Sequence, residues 1–440
     1  MNAKEQMREQ LRKAAAGIAG VYPADQYPKT VPVGALRRAG LRRVADPSRM
    51  LTLVEVDGVL RWEEGAGHAA AAPGLRRGFR ARVRRGDVID SMQVDTLELS
   101  DVGKYLSGLD DKLTPGQGLK RWTGAGLTPL QPGEKPAATG RILLFIHGTF
   151  SNNQSILSEI QLTPEGRALL GRVRASGQYT EVLAFDHPTV AVSPMLNALD
   201  LARRFEGSQA EVDVICHSRG GLVTRWWLEV FDRAAAARRA ILVGSPLDGT
   251  SLAAPPRLRN VLSYLTNLNR VLGEGAAAAS TLFPFLAVVS GLVRMTAVIT
   301  SVASNTPLID AAVALIPGLA AQSRVDNNFE LDRLNVDGKR APEYFAVKSN
   351  FETQDPGWKF WKVFVDVKKR VLDAASDVVF PRENDLVVDT ESMTILGPKT
   401  VVPDDHVKDF GTTDQVHHTN YFRQAEAIRF IAEKLKIPLG

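Results

Sequence analysis

Between Val212 and Trp227 the chain runs from an apolar stretch, through the turn Cys216-His217-Ser218-Arg219-Gly220-Gly221, straight into the helical segment Leu222-Val223-Thr224-Arg225-Trp226-Trp227. A strand-to-helix junction this short forces a sharp backbone bend, and small residues must flank the serine because the turn is crowded. The junction is one of a series. Short apolar runs at 142–146, 180–185, 212–215 and 240–243 alternate with helical patterns near 165–174, 194–205 and 220–231. Strands apolar on both faces and separated by helices predict a mostly parallel sheet covered by helices on both sides. Ligands of such sheets bind at the carboxyl ends of the strands, and Ser218 follows one of those ends.

The first part of the chain has a different texture. A polar helical stretch over 3–16 precedes a hairpin, 51–56 and 59–62, closed by Asp57-Gly58, a pair suited to a type I′ turn. A second strand-like pair is expected over 79–99, split at Gly86-Asp87. The organisation expected is a small β-rich N-terminal module over 1–125, a Pro- and Gly-rich linker over 126–139, and an α/β domain over 140–440. From 276 to 320 the chain is almost uncharged, interrupted only by Arg294 and Asp310. Its apolar core, 281–293, is shorter than the roughly 20 residues a bilayer requires, and Pro284, Pro307 and Pro317 break the region. Buried or lid-forming helices are expected there.

Composition narrows the classes. With 44% hydrophobic and 23% charged residues the chain reads as soluble and globular. A net charge of +5 without a basic block carrying aromatics gives no footprint for nucleic acid. The single cysteine, Cys216, excludes an intrachain disulfide. The polar N-terminus has no apolar signal segment, which sets a cytoplasmic expectation.

Ser218, at the tip of the strand-to-helix turn, is the candidate nucleophile. Its position at a helix N-terminus places free N–H groups where negative charge develops. Upstream, the strand 142–146 ends in His147-Gly148-Thr149-Phe150, where Gly148 permits a sharp turn and the next amide can face the serine. Thr149 and Arg219 are therefore the candidate oxyanion-hole donors, with Phe150 the alternative to Thr149. His147 reads as a loop-organising residue.

The set His147-Gly148, Cys216-His217-Ser218-Arg219-Gly220-Gly221 and Gly244-Ser245-Pro246-Leu247-Asp248-Gly249-Thr250 resembles the bacterial lipase/esterase branch of the α/β-hydrolase superfamily. The resemblance covers about Gly140 to the C-terminus, leaves the N-terminal module unexplained, and departs from the usual G-x-S-x-G at Cys216. It implies an α/β-hydrolase fold with a helical cap over about 252–334, and a triad in the chain order Ser, acid, His. Of seven histidines, only His406, His417 and His418 follow Ser218. His418, before Tyr421-Phe422 and the final helix, is the implied base, with His417 next; His406 reads as a solvated surface residue. Asp385, in Glu383-Asn384-Asp385-Leu386-Val387-Val388, is the implied acid and Asp248 its alternative. Trp358, Phe360, Trp361 and Phe364 read as packing residues. The implied activity is hydrolysis of carboxylic esters on small acyl or lipid-like substrates, with no metal or organic cofactor. A thioesterase, amidase or transacylase on the same triad, or an effector recruited through the N-terminal module, are the rival readings. Membrane or protein contact through the cap or that module is left open by the sequence.

Overall fold

The computed structural model describes residues 3–16, 21–26, 48–65, 86–95, 102–234, 236–253, 258–274, 316–324, 328–337, 342–364, 379–380 and 382–439. At the N-terminus, helix α1 (Ala3–Ala16) lies beside a four-stranded antiparallel sheet. Its strands are β1 (Val21–Pro23), β2 (Ser48–Val56), β3 (Val59–Gly65) and β4 (Asp87–Asp95), in the order β1-β4-β2-β3. Asp57 (φ 53°) and Gly58 (φ 81°) both take positive φ, as the turn expected between β2 and β3 requires. Of the second expected pair only β4 is described; the remainder of 79–99 lies outside the described residues.

Helix α2 (Val102–Leu113) leads into an eight-stranded sheet. Its strands are β5 (Gly118–Trp122), β6 (Leu127–Pro129), β7 (Arg141–Ile146), β8 (Glu181–Asp186), β9 (Glu211–His217), β10 (Arg238–Val243), β11 (Glu343–Phe351) and, past the small ribbon of β12 (Ile395–Gly397) and β13 (Thr400–Val401), β14 (Val407–Thr413). The order is β14-β11-β10-β9-β7-β8-β5-β6. Six strands from β14 to β8 are mutually parallel, and β5 joins β8 antiparallel. The sheet therefore begins upstream of the expected boundary. Part of the stretch expected as linker is β6, which pairs antiparallel with β5 in the register Lys120↔Pro129, Arg121↔Thr128 and Trp122↔Leu127. The Pro and Gly residues there mark the edge of a sheet, where an unpaired N–H face tolerates proline.

Residues alternate across β7 between two apolar layers. Leu143 and Phe145 meet helices α3 (Asn153–Ile160) and α4 (Pro164–Ala175) and the helix Ala425–Lys434. Ile142, Leu144 and Ile146 meet α5 (Pro194–Arg204) and α6 (Gly220–Arg225). All five are fully buried, which explains why the run is continuously apolar rather than alternating. From β7 the chain steps outward to β8 and then crosses to β9 on the other side of β7. That reversal opens a crevice at the carboxyl ends of β7 and β9, where Ile146 pairs with Cys216. This is the α/β-hydrolase arrangement, with helices on both faces of a mostly parallel sheet and a separate antiparallel sheet before it.

The expected cap is described in part. Helix α7 (Leu258–Glu274) and short helices at Pro317–Ala320 and Phe329–Leu334 occupy it, and 275–315 lies outside the described residues. Among the described residues, no helix is long and apolar enough to cross a membrane. Phe360, Trp361 and Phe364 are buried, and Trp358 is half-buried, against Tyr264, Phe351 and Phe380.

Candidate active site

Ser218 has φ 53°, the left-handed region that costs an L-residue about 1–2 kcal/mol. The bend is held from both sides: Ser218 N–H donates to Val243 O at 2.8 Å and Gly221 N–H to Ser218 O at 2.9 Å. Close approach explains the glycines around it. A Cβ on Gly148 would lie 2.7 Å from Ser218 Cβ, and one on Gly220 would lie 2.5 Å from Ile146 O. Cys216, at the position usually occupied by the first glycine, is fully buried, with Sγ 3.5 Å from Ile241 O.

The amides of Thr149 and Arg219 find no hydrogen-bond acceptor among the described residues. The Phe150 amide, by contrast, donates to Thr189 Oγ1 at 3.3 Å. His147 aims the Thr149 amide. Its Nε2 accepts the His187 N–H at 3.0 Å, so the proton sits on Nδ1 and is donated to Gly148 O at 2.8 Å. Because the Gly148–Thr149 peptide is planar and trans, holding its carbonyl points its N–H the opposite way. Burial lowers the pKa of His147, which keeps the ring in this neutral form. From the cap, Gln322 Nε2 donates to Gly318 O and to Thr149 Oγ1, both at 3.0 Å.

His418 and Asp385 are brought together. His418 Nδ1 lies 2.8 Å from Asp385 Oδ2, and both residues are buried. Oδ1 of the same carboxylate accepts the N–H groups of Val387 (3.1 Å) and Val388 (2.8 Å). A backbone bond from His418 N–H to Asp385 O (2.9 Å) ties the two loops together. The pair adjoins the serine turn through Gly244, which follows Val243 with φ 56°. A Cβ on Gly244 would sit 3.3 Å from both Asp385 Oδ2 and His418 Nδ1.

The alternatives lie elsewhere. His417 Nδ1 contacts Thr419 Oγ1 at 3.1 Å, and burial pushes its pKa down to about 4. Asp248 is held by Arg324 (3.1 Å) and Asn335 (3.2 Å) at the returning end of the cap. His406 is not a solvated residue: it is half-buried, bonded through Nδ1 to Tyr344 O at 2.9 Å and packed on Phe345.

Residues 112–436 match a family described as "Domain of unknown function (DUF7379)". The chain belongs to that family. The match contains every site residue named above and leaves the N-terminal sheet outside it. No curated protein matches the sequence. Among solved structures, the chain is similar to the mature lipase BlEst2 of Bacillus licheniformis (16% identity, 70% of this chain and 96% of that one, TM-score 0.34). It is also similar to lipase 1 from Pelosinus fermentans (13%, 68% and 99%, TM-score 0.40). A third is the Cif epoxide hydrolase from Acinetobacter nosocomialis (11%, 77% and 96%, TM-score 0.36).

In this DUF7379 chain several residues at the site have roles that the sequence reading did not assign. His217 Nε2–H donates to His418 O at 2.9 Å, with the two rings 4.7 Å apart. Burial first, and then the neighbouring His418, push the His217 pKa down to about 3, so it acts as a neutral brace. The Arg219 side chain is fully buried, its Nη1 3.2 Å from His187 Nδ1, and burial lowers its pKa to about 10. Tyr264 OH, on α7, donates to Leu386 O at 2.9 Å, next to Asp385. Leu386 itself is left-handed, with φ 85°.

Proposed function

We propose that this protein is a serine hydrolase that cleaves carboxylic esters of acyl or lipid-like substrates. The observation that carries this reading is the buried 2.8 Å pair between His418 Nδ1 and Asp385 Oδ2 beside the left-handed Ser218 turn. In the proposed reaction His418 takes the proton from Ser218 Oγ as the oxygen attacks the ester carbonyl. Asp385 fixes the imidazole tautomer and stabilises the imidazolium. The tetrahedral oxyanion is met by the amides of Thr149 and Arg219, both without an acceptor among the described residues. His418 then protonates the departing alcohol, and water, activated in the same way, releases the acyl group from Ser218.

A chain-length series of chromogenic esters, run beside matched thioesters and amides, tests the substrate class. The expected result is ester turnover with a chain-length optimum, reduced at least a thousandfold in Ser218→Ala. Equal turnover by the wild type and Ser218→Ala would contradict it.

A further inference from the structure

Asp385 Oδ2 receives a second donor besides His418. Tyr421 OH donates to it at 2.9 Å, and the same phenolic oxygen lies 2.8 Å from Ser349 Oγ. Asp385, Tyr421 and Ser349 are all buried, each at most 1% exposed. The phenol has its proton committed to the carboxylate, so Ser349 must be the donor to Tyr421. The result is a directed chain, Ser349 to Tyr421 to Asp385. Hydrogen bonds in such a chain polarise one another in a dry interior. Burial and the charge of Asp385 hold the Tyr421 pKa well above its ordinary value, so the group stays a phenol and a donor.

We propose that Tyr421, oriented by Ser349, is a positioning residue that tunes the acid of the triad by sharing the carboxylate oxygen that His418 uses. The inference rests on the triad reading given above. With its four donors (His418 Nδ1–H, Tyr421 O–H and the amides of Val387 and Val388) the Asp385 carboxylate is saturated, and its charge is divided among them. Removing the phenol hydroxyl leaves more of that charge facing His418. The imidazolium is then favoured, and the base is lost to protonation at a higher pH. Among the described residues with a shifted pKa, His217, His417 and Tyr264 also feel Asp385. Both histidines are driven to low pKa values and Tyr264 to a high one, so none of the three titrates where the base is expected to work.

The test uses the rate at which a fluorophosphonate modifies Ser218, which needs no knowledge of the natural substrate. The rate is measured against pH for the wild type, Tyr421→Phe and Ser349→Ala, with thermal melts to establish folding. The expected result is an acid limb moved upward by about half a unit in Tyr421→Phe, with a plateau about fivefold lower. Ser349→Ala, which keeps the phenol but loses its orienting donor, is expected to give a smaller shift of the same sign. If Tyr421 only fills space, its variant loses thermal stability while the limb stays in place in both variants, and the proposal is overturned. A wild type that the reagent does not modify at Ser218 would instead remove the triad reading, and this proposal with it.

Discussion

Gly244 shows how much of the site depends on one missing methyl group. Its φ of 56° is left-handed, and a Cβ there would meet Tyr421 Cε2 at 2.8 Å besides crowding Asp385 and His418. Gly244→Ala is expected to cost about 1–2 kcal/mol in backbone strain alone. It should also cut kcat/KM by at least about tenfold by pushing Asp385 and His418, the proposed acid and base, off the serine turn. Steady-state kinetics beside a thermal melt checks both, and unchanged kcat/KM would contradict the packing described. Ser218 was legible in the sequence because the strand, the turn and the helix that hold it are consecutive residues. The demand on Gly244 was not, since the side chains that would clash with it arrive from Asp385, His418 and Tyr421, far along the chain. His217 was hidden for the same reason: its partner is the backbone of His418, and no local pattern encodes that contact.

The N-terminal sheet ends in an edge strand, β3, and helix α7 of the cap seals it. Asn267 uses its amide as a substitute peptide, accepting Leu60 N–H at 2.9 Å and donating to Leu60 O at 2.7 Å. Ser263 accepts Trp62 N–H, and Thr266 accepts the Trp62 indole, each at 3.0 Å. An edge with unpaired N–H and C=O groups invites other strands, and here a helix blocks it with buried polar side chains. Asn267→Leu leaves two buried backbone groups of Leu60 without partners. It should destabilise the protein by about 2–4 kcal/mol, seen as a lower denaturant midpoint; an unchanged midpoint would contradict the seal. Tyr264 of the same helix reaches the loop that holds Asp385, so this part of the cap is anchored both to the N-terminal sheet and to that loop. The sequence revealed the hairpin of β2 and β3 through Asp57-Gly58, and the central strands through their continuous apolar runs. It concealed β5 and β6, whose strand character comes from the pairing of β5 with β8 and of β6 with β5 rather than from their own residues. The stretch expected as linker looked like a loop because edge pairing is non-local.

Across the whole molecule, buried histidines set the pH at which the fold weakens. Burial pushes His217 down to about 3 and His417 to about 4, and it lowers His147 and His187 as well. In the unfolded chain these groups titrate near 6.5. Below that pH the unfolded state binds more protons than the folded one, so the stability present above 6.5 is lost as pH falls toward the folded values. Each such histidine removes up to about 1.4 kcal/mol per pH unit in that window. Glu159, Glu330 and Asp389 work in the opposite direction, because burial raises their pKa, that of Glu159 to about 7, and their contribution is lost as pH rises through the raised values. Among the described residues the four lowered histidines outnumber these three carboxylates. Urea midpoints are therefore expected to fall from pH 7 to pH 4.5, and a midpoint that rises over that interval would contradict the burial of these rings.

The central claim is that Ser218 is an activated nucleophile, and covalent capture tests it most directly. The protein is treated with a fluorophosphonate, its intact mass is recorded, and the modified peptide is sequenced. The account predicts a single adduct on Ser218 in the wild type and none in Ser218→Ala, with modification greatly slowed in His418→Ala. A wild type that stays unmodified, or an adduct that persists in Ser218→Ala, would contradict it.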